Sequence, residues 1–86
     1  MQWQAVESSQ IAEVGYDHTS GTLGIRFKPT RKQQEAGQAG SEYHYTNVSP
    51  EMHQELITAD SVGKYFGENI KPFPQLYPYT KIEPAE

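Results

Sequence analysis

Alternating apolar and polar positions mark two neighbouring strands near the beginning of the chain. The segments at 11–17 (IAEVGYD) and 22–28 (TLGIRFK) both alternate apolar residues with residues that are polar or glycine. A period of two is typical of strands that bury one face. The segment that joins them, DHTSG, consists of residues that favour turns. The pattern predicts a β-hairpin, whose inward positions are Ala12, Val14, Tyr16, Leu23, Ile25 and Phe27.

A third strand is predicted over residues 42–48, EYHYTNV, where the alternation returns. Because neighbouring side chains of a strand point to opposite faces, Tyr43 and Tyr45 should share one face and His44 should lie on the other. We therefore expect that these three residues do not form a single site.

Two helices are predicted after this strand. Ser49 is a favourable N-cap, and Pro50 fits the first position of the helix that follows. Ser61 should cap a second, shorter helix within residues 59–71, which Gly67 either bends or ends. Residues at helical spacing should pack on the sheet. They are Met52, Leu56 and Ala59 in the first helix and Val62, Tyr65, Phe66 and Ile70 in the second.

Two segments lack a regular apolar pattern. Residues 29–40, PTRKQQEAGQAG, contain no bulky apolar group, which predicts a long, mobile, inserted loop. A short solvated helix across RKQQEA is the alternative. Near the end of the chain, repeated prolines predict an extended tail, and residues 83–86 should fray. The residues expected to anchor this tail are Phe73, Leu76, Tyr77 and Tyr79.

These elements together predict one α+β domain over residues 1–86, with a core at about 6–82. Its architecture should be a three-stranded antiparallel meander followed by a helix and a short helical turn. Both helices should pack on one face, and an extended tail should complete the fold. A chain of 86 residues suffices for one small core.

Composition excludes several classes of protein. The chain has no cysteine, which removes disulfides, thiolate metal sites and thiol nucleophiles. No apolar run approaches the length of a membrane span, and the first residues do not resemble a secretory signal. We therefore expect a cytoplasmic protein that does not associate with membranes.

No pattern in the sequence predicts catalysis. The three histidines lack the spacing of a zinc motif. Ser8 and Ser9 lack the G-x-S-x-G context of a nucleophile, and a role in capping or turn formation explains them better. Glu51 and Glu55 lie one helical turn apart, as on a solvated helix face. We expect a non-catalytic protein without a metal or a cofactor.

A basic cluster indicates binding to RNA or single-stranded nucleic acid. Basic residues beside aromatic ones often hold single strands through phosphate contacts and base stacking. The candidate phosphate ligands are Arg26, Lys28, Arg31 and Lys32, and the candidate base contacts are Tyr43, His44 and Tyr45. The overall charge of -4 has the wrong sign for such a ligand. In the alternative interpretation the tyrosines fill the core and the basic loop only solubilises the chain.

A second hypothesis is a contact with another protein. Aromatic anchors on a backbone stiffened by prolines lose little entropy on binding. The candidate anchors are Trp3, Phe73, Tyr77 and Tyr79. The partner could be a host protein or a second copy of the chain. Alternatively, the tail simply covers the domain.

The order of these motifs resembles the KTSC domain family over about residues 6–82. The matching positions are the paired Ser8 and Ser9, the tyrosine-any-tyrosine motif at Tyr43 and Tyr45, the step Ala59, Ser61 and Gly63, the pair Tyr65 and Phe66, the pair Ile70 and Lys71, and a late YTKI. The sequence departs from the family pattern at residues 29–40, where a tight turn is usual.

This resemblance implies a small α+β fold and suggests RNA as a ligand. The family takes its name from the carboxyl-terminal appendage of some lysyl-tRNA synthetases, and the domain also stands alone in small bacterial and phage proteins. It thus implies a bacterial cytoplasm, or that of the host if a phage encodes the chain. An adaptor or inhibitor that binds a host protein is the alternative function.

Overall fold

The predicted hairpin forms the centre of an antiparallel sheet. The computed structural model describes residues 1–82, and the segment 83–86, predicted to fray, lies outside the described residues. The strands are β1 (Gln2–Ala5), β2 (Ile11–Asp17), β3 (Thr22–Phe27), β4 (Glu42–Tyr45) and β5 (Tyr79–Ile82). The helices are α1 (Arg31–Glu35), α2 (Pro50–Thr58) and α3 (Val62–Asn69).

The α+β class is confirmed, but the described sheet has five strands where the predicted meander has three. Strand order follows chain order, from β1 to β5. The two additional strands lie at the edges, where β1 pairs with β2 and β5 pairs with β4. Each has only four residues, and pairing through the backbone makes few demands on side-chain pattern.

The register of β2 shifts between Ile11 and Glu13, because a bulge interrupts the pairing with β3. Ile11 and Val14 are therefore both fully buried, while Ala12 is only half-buried. The prediction that Ala12 is a core position was wrong, since strict alternation does not allow for an extra residue.

Helices α2 and α3 cover one face of the sheet, as predicted. The Ser49 side chain accepts a hydrogen bond from the Met52 backbone N–H, and Pro50 occupies the first turn of α2. Ser61 caps α3 in the same way. No helix of residues 1–82 combines the length and the apolar composition that a membrane span requires. The buried core consists of Ile11, Val14, Tyr16, Leu23, Ile25, Tyr45, Val48, Leu56, Val62, Phe66 and Ile70.

The polar segment 29–40 contains the helix α1, which confirms the alternative of a short solvated helix. Thr30 and Gln33 form a capping box, in which each side chain bonds to the backbone of the other residue. None of the residues of α1 is buried. The end of the segment packs tightly, because a Cβ atom at Gly40 would lie 1.8 Å from the Phe27 carbonyl oxygen.

The segment before β5 forms turns, which corrects the prediction of a continuously extended tail. The backbone N–H groups of Leu76 and Tyr77 both donate to the Phe73 carbonyl, at 3.0 and 2.9 Å. Prolines fix φ at values that turns also use, so their presence alone does not imply extension. Phe73 and Leu76 are exposed and do not anchor the tail, whereas Tyr77 packs against the core.

Candidate functional site

The two faces of the sheet separate the residues that the sequence indicates as a binding site. Tyr43 and Tyr45 lie on the face that the helices cover, and Tyr45 belongs to the core. His44 pairs with Gly24 and lies on the opposite face, as the alternation predicts. Arg26 shares this open face with His44. The structure therefore does not bring Arg26 and His44 together with the two tyrosines.

On the helix-covered side, an aromatic cluster extends from the core to the surface. Tyr45 is 6% exposed and meets Phe66 edge-on, with the ring centroids 5.3 Å apart. Tyr43 is half-buried and packs edge-on against Phe27 at 5.8 Å. Tyr79 on β5 is 56% exposed and contacts both tyrosines of β4. The core interpretation holds for Tyr45, while Tyr43 and Tyr79 have accessible surface.

These rings form one wall of a groove with a volume of about 520 Å³. It is lined by Ser9, Gln10, Phe27, Lys28, Pro29, Thr30, Gln33, Ser41, Tyr43, Tyr45, Phe66 and Lys71. Two lysines therefore accompany four aromatic side chains. In addition, Lys81 pairs in register with Tyr43 on the adjacent strand. Within the described part of the chain, no Asp or Glu lines this groove.

Tyr45 in the groove is neutral at physiological pH. Burial first, and then the neighbouring phenols of Tyr43 and Tyr79, raise the pKa of Tyr45 to about 12. A phenol with such a pKa does not act as a base or a nucleophile at neutral pH. Tyr45 therefore offers a ligand an apolar ring face and a neutral hydroxyl.

The other predicted phosphate ligands lie on α1 or at the end of β3. Lys28 is exposed and lines the groove. Arg31 and Lys32 are exposed on α1 and do not line the groove, although the N-cap Thr30 and Gln33 of the same helix do. Arg31 faces Glu35 at 3.7 Å, a solvated pair of little energetic consequence. Only Lys28 of the four basic candidates contributes directly to the groove.

The open face carries a stack of side chains on two paired glycines. Trp3 lies over Gly15 and Gly24, close enough that a Cβ atom at either glycine would meet the indole at 2.8 or 2.6 Å. The Arg26 guanidinium carbon lies 3.8 Å from the centroid of the Trp3 ring, a cation–π contact. The absence of side chains at the two glycines thus creates the space that Trp3 occupies.

Arg26 is engaged by two carboxylates. Its Nε donates to Glu42 Oε1 at 2.8 Å, and its Nη1 donates to Glu13 Oε1 at 3.4 Å. Glu42 Oε2 also lies 2.8 Å from His44 Nε2. Although burial raises the pKa of Glu42, the hydrogen bonds and charges of Arg26 and His44 lower it below its ordinary value. The charge of Arg26 is therefore balanced locally, which makes it a poor ligand for phosphate.

The remaining chemical candidates have structural roles. The Ser8 hydroxyl accepts hydrogen bonds from the backbone N–H groups of Gln10 and Ile11, which confirms the predicted turn role. His53 stacks on Tyr16, with the ring centroids 4.7 Å apart, and His18 meets Tyr16 edge-on at 4.8 Å. Among residues 1–82, no three His, Asp or Glu side chains converge as a metal site would require.

The predicted protein contacts also lie on different surfaces. Trp3 belongs to the open face, whereas Phe73 and Leu76 lie in the turn before β5 and are 42% and 55% exposed. Tyr77 is half-buried beneath this turn, and Tyr79 borders the aromatic groove. Trp3 therefore cannot form one patch with the other predicted contacts, Phe73, Tyr77 and Tyr79.

Sequence reasoning missed Lys71 as a groove residue and Lys81 as its neighbour. Lys71 follows α3 and lines the groove, whereas Lys81 lines the adjoining cavity and lies beside Tyr43 only because β5 pairs with β4. Both lysines stand in the motifs Ile70-Lys71 and YTKI, so the sequence held a signal. Phe27 and Phe66 were predicted as core residues, and each also lines the groove.

Comparisons with known proteins agree with this architecture. The sequence model of the KTSC domain matches residues 7–73. An uncharacterised protein of Stutzerimonas stutzeri is 34% identical over 79 residues, which cover 92% of this chain and 94% of that protein. A protein of Tsukamurella paurometabola is 35% identical over 69 residues, covering 80% and 88%. The crystal structure of a KTSC domain protein from Yersinia pestis superposes with a TM-score of 0.75, at 32% identity, covering 95% of this chain and 97% of that one.

Proposed function

The chain belongs to the KTSC domain family, and on this basis we propose that it is a non-catalytic module that binds single-stranded nucleic acid, RNA in particular. The observation that carries the proposal is the groove, in which four aromatic side chains adjoin Lys28 and Lys71. Aromatic faces stack on bases of any sequence, and lysines neutralise the phosphates between them. The groove supplies both contacts on one side of the sheet.

The charge distribution supports the same ligand. The whole chain has a formal charge of -4, yet the described lining of the groove contains two lysines and no acid. Lys81 adds a third positive charge on the neighbouring strand. Glu13 and Glu42 line the adjoining cavity together with Arg26 and Lys81, whereas the charged side chains that line the groove itself are both lysines. Local charge governs where a polyanion docks, even on a protein whose net charge is negative.

The test is a titration of a fluorescently labelled single-stranded RNA at several salt concentrations. If three lysines neutralise phosphates, log K should fall with log salt at a slope of about -2, since single strands give roughly -0.7 per contact. Lys28→Ala and Lys71→Ala should each weaken binding and flatten the slope. Lys64→Ala, on an exposed position of α3 outside the groove, is the matched control. Binding that does not depend on salt would contradict the proposal.

A second candidate function is docking of a protein on the turn before β5. The observation that favours it is the exposure of Phe73 and Leu76, at 42% and 55%, on a turn stiffened by three prolines. Large apolar side chains that lose little entropy on binding are effective anchors. We therefore retain an adaptor or inhibitor of a host protein as the alternative.

Affinity capture from host lysate with the wild type and with a Phe73→Ser/Leu76→Ser variant tests this alternative. Proteins recovered by the wild type and lost by the variant would support it. A Tyr77 variant is less suitable, because Tyr77 packs against the core. Recovery of the same proteins by both forms would count against the turn as an interface.

A further inference from the structure

The groove has two chemically different ends. One end is formed by the rings of Tyr45 and Phe66, which reach into the core. The other end lies where β3 finishes, and there the Phe27 N–H donates to the Ser41 carbonyl and the Lys28 N–H donates to the Gln10 carbonyl, both at 2.8 Å. The side chains around this second end are polar, namely Ser9, Gln10, Lys28, Thr30, Gln33 and Ser41.

The first turn of α1 borders the polar end through Thr30 and Gln33. The Gln33 amide nitrogen lies 3.5 Å from the Ser41 hydroxyl, and both side chains line the groove. The capping box between Thr30 and Gln33 fixes the orientation of this turn. The close contact of Gly40 with the Phe27 carbonyl holds the other end of the segment against β3. The side chains of Thr30, Gln33 and Ser41 are therefore held in place at the polar end.

The size of the groove agrees with a short ligand. A volume of about 520 Å³ lies in the range of pockets that hold one small molecule, so the groove itself suits a single nucleotide. A terminal phosphate carries up to two negative charges and three free oxygens, as phosphoserine does, whereas an internal phosphodiester carries one charge. Lys28 and the hydroxyls of Thr30 and Ser41 provide a cation and two donors for such a group.

We propose that the groove holds the terminal nucleotide of a single strand, with its base against the aromatic wall and its terminal phosphate at the polar end beside Lys28. This inference rests on the proposed function and makes it more specific. The shared chemistry is that of a nucleoside monophosphate, and the end of a strand is the source that the second lysine of the groove favours. Lys71 is then available for the phosphate of the preceding nucleotide.

The experiment compares one RNA sequence in four forms: with a 5′-phosphate, with a 3′-phosphate, with hydroxyls at both ends, and circularised. Displacement of a labelled RNA by each form gives its affinity, and uridine monophosphate is titrated as the free nucleotide. At least one phosphorylated linear form should bind about tenfold or more tightly than the circular and unphosphorylated forms. Uridine monophosphate should compete, but more weakly than the phosphorylated strand.

Variants at the polar end test the location. Lys28→Ala and Ser41→Ala should reduce or abolish the difference between phosphorylated and circular RNA, while Lys64→Ala should retain it. Trp3 emission, which reports on the opposite face, checks that each variant is folded.

Each alternative outcome overturns a defined part of the argument. Equal binding of circular and linear RNA would overturn recognition of the end and leave the proposed function standing. Uridine monophosphate that binds as tightly as the strand would overturn the strand as the source of the ligand. Failure of every RNA form to bind would overturn both the inference and the proposed function.

Discussion

Gly15 and Gly24 determine where Trp3 can lie on the open face. The two glycines are directly paired between β2 and β3, and the indole and the Met1 side chain rest on them. Arg26 stacks on the outer side of the indole. A glycine inside a strand weakens it, so these two positions are best explained by the close approach of Trp3.

The first prediction concerns Gly24→Ala. The new Cβ atom would lie 2.6 Å from both Trp3 Cη2 and Met1 Sδ, so both side chains must move and the contact with Arg26 is weakened. We expect a loss of about 1–2 kcal/mol in the free energy of unfolding, of which the cation–π contact accounts for roughly 0.5–1 kcal/mol. Urea denaturation and a red shift of Trp3 emission would measure it. Unchanged stability together with unchanged emission would refute this account.

The second prediction concerns pH. Burial and then the charge of His18 lower the pKa of His53, so the unfolded chain binds a proton there more readily than the folded chain. Stability should therefore fall as the pH drops through about 6.5, the value for an unfolded histidine, and the loss should end below the folded pKa. The titratable groups that contact His53 are Tyr16 and His18.

Denaturation midpoints of the wild type and of His53→Gln between pH 8 and pH 5 would test this expectation. The variant should lose less stability over this window. Asp17 and Glu42 have lowered pKa values, so the stability that they contribute is lost only at more acidic pH. Parallel curves for the two proteins would show that His53 does not titrate differently on folding.

For single residues, strand alternation was sufficient to place Tyr43, His44 and Tyr45 on their correct faces of the sheet. It could not predict that Arg26 pairs with Glu13 and Glu42, because these contacts depend on the register between three strands. It also could not place Lys81 beside Tyr43. The partners of a charged side chain in a sheet depend on which residues lie opposite it on the neighbouring strands. A single sequence does not reveal this register.

The helices were the elements most predictable from sequence. Ser49 and Ser61 begin α2 and α3 as their capping preference indicates. The short edge strands β1 and β5 were missed, because four residues without clear alternation give no detectable period. The turn before β5 was predicted as extended because proline is compatible with both turns and extended segments, so its presence does not distinguish them.

The third prediction concerns Gly67, which lies inside α3. Sequence reasoning assigned it to a bend or the end of the helix, yet α3 continues to Asn69. A Cβ atom at this position would have no heavy atom within 4 Å. Gly67→Ala should therefore raise the free energy of unfolding by about 0.5–1 kcal/mol, because alanine restricts the unfolded chain and favours the helix. Urea denaturation would measure the change, and Gly24→Ala, measured in the same way, serves as the matched glycine variant. A Gly67→Ala protein less stable than the wild type would contradict the expectation.

On the scale of the whole molecule, the sheet separates the groove on one face from a network of charged side chains on the open face. One face offers aromatic rings and lysines, and the other has Arg26, Glu42 and His44 bonded among themselves. This division into two faces follows from the sheet as a whole and cannot be derived from any single motif. The overall α+β class could be predicted, because it depends only on which elements exist.

The fourth prediction distinguishes the two faces by fluorescence. Trp3 is the only tryptophan and lies on the open face. RNA that binds in the groove should leave Trp3 emission almost unchanged while it raises the melting temperature by mass action. A contact with Arg26 and His44 would instead quench or shift this emission. A large change in Trp3 fluorescence at saturating RNA would place the ligand on the wrong face for our proposal.

The strand order that equals chain order has a consequence for folding kinetics. Pairing of β1 to β4 joins neighbours in the sequence, so these contacts require little loop closure and should form early. Strand β5 also pairs with β4, but α2 and α3 lie between these two strands in the sequence. It should therefore dock last. Since Tyr79 of β5 contacts Tyr43 and Tyr45, the outer edge of the aromatic cluster would be completed only in the final step of folding.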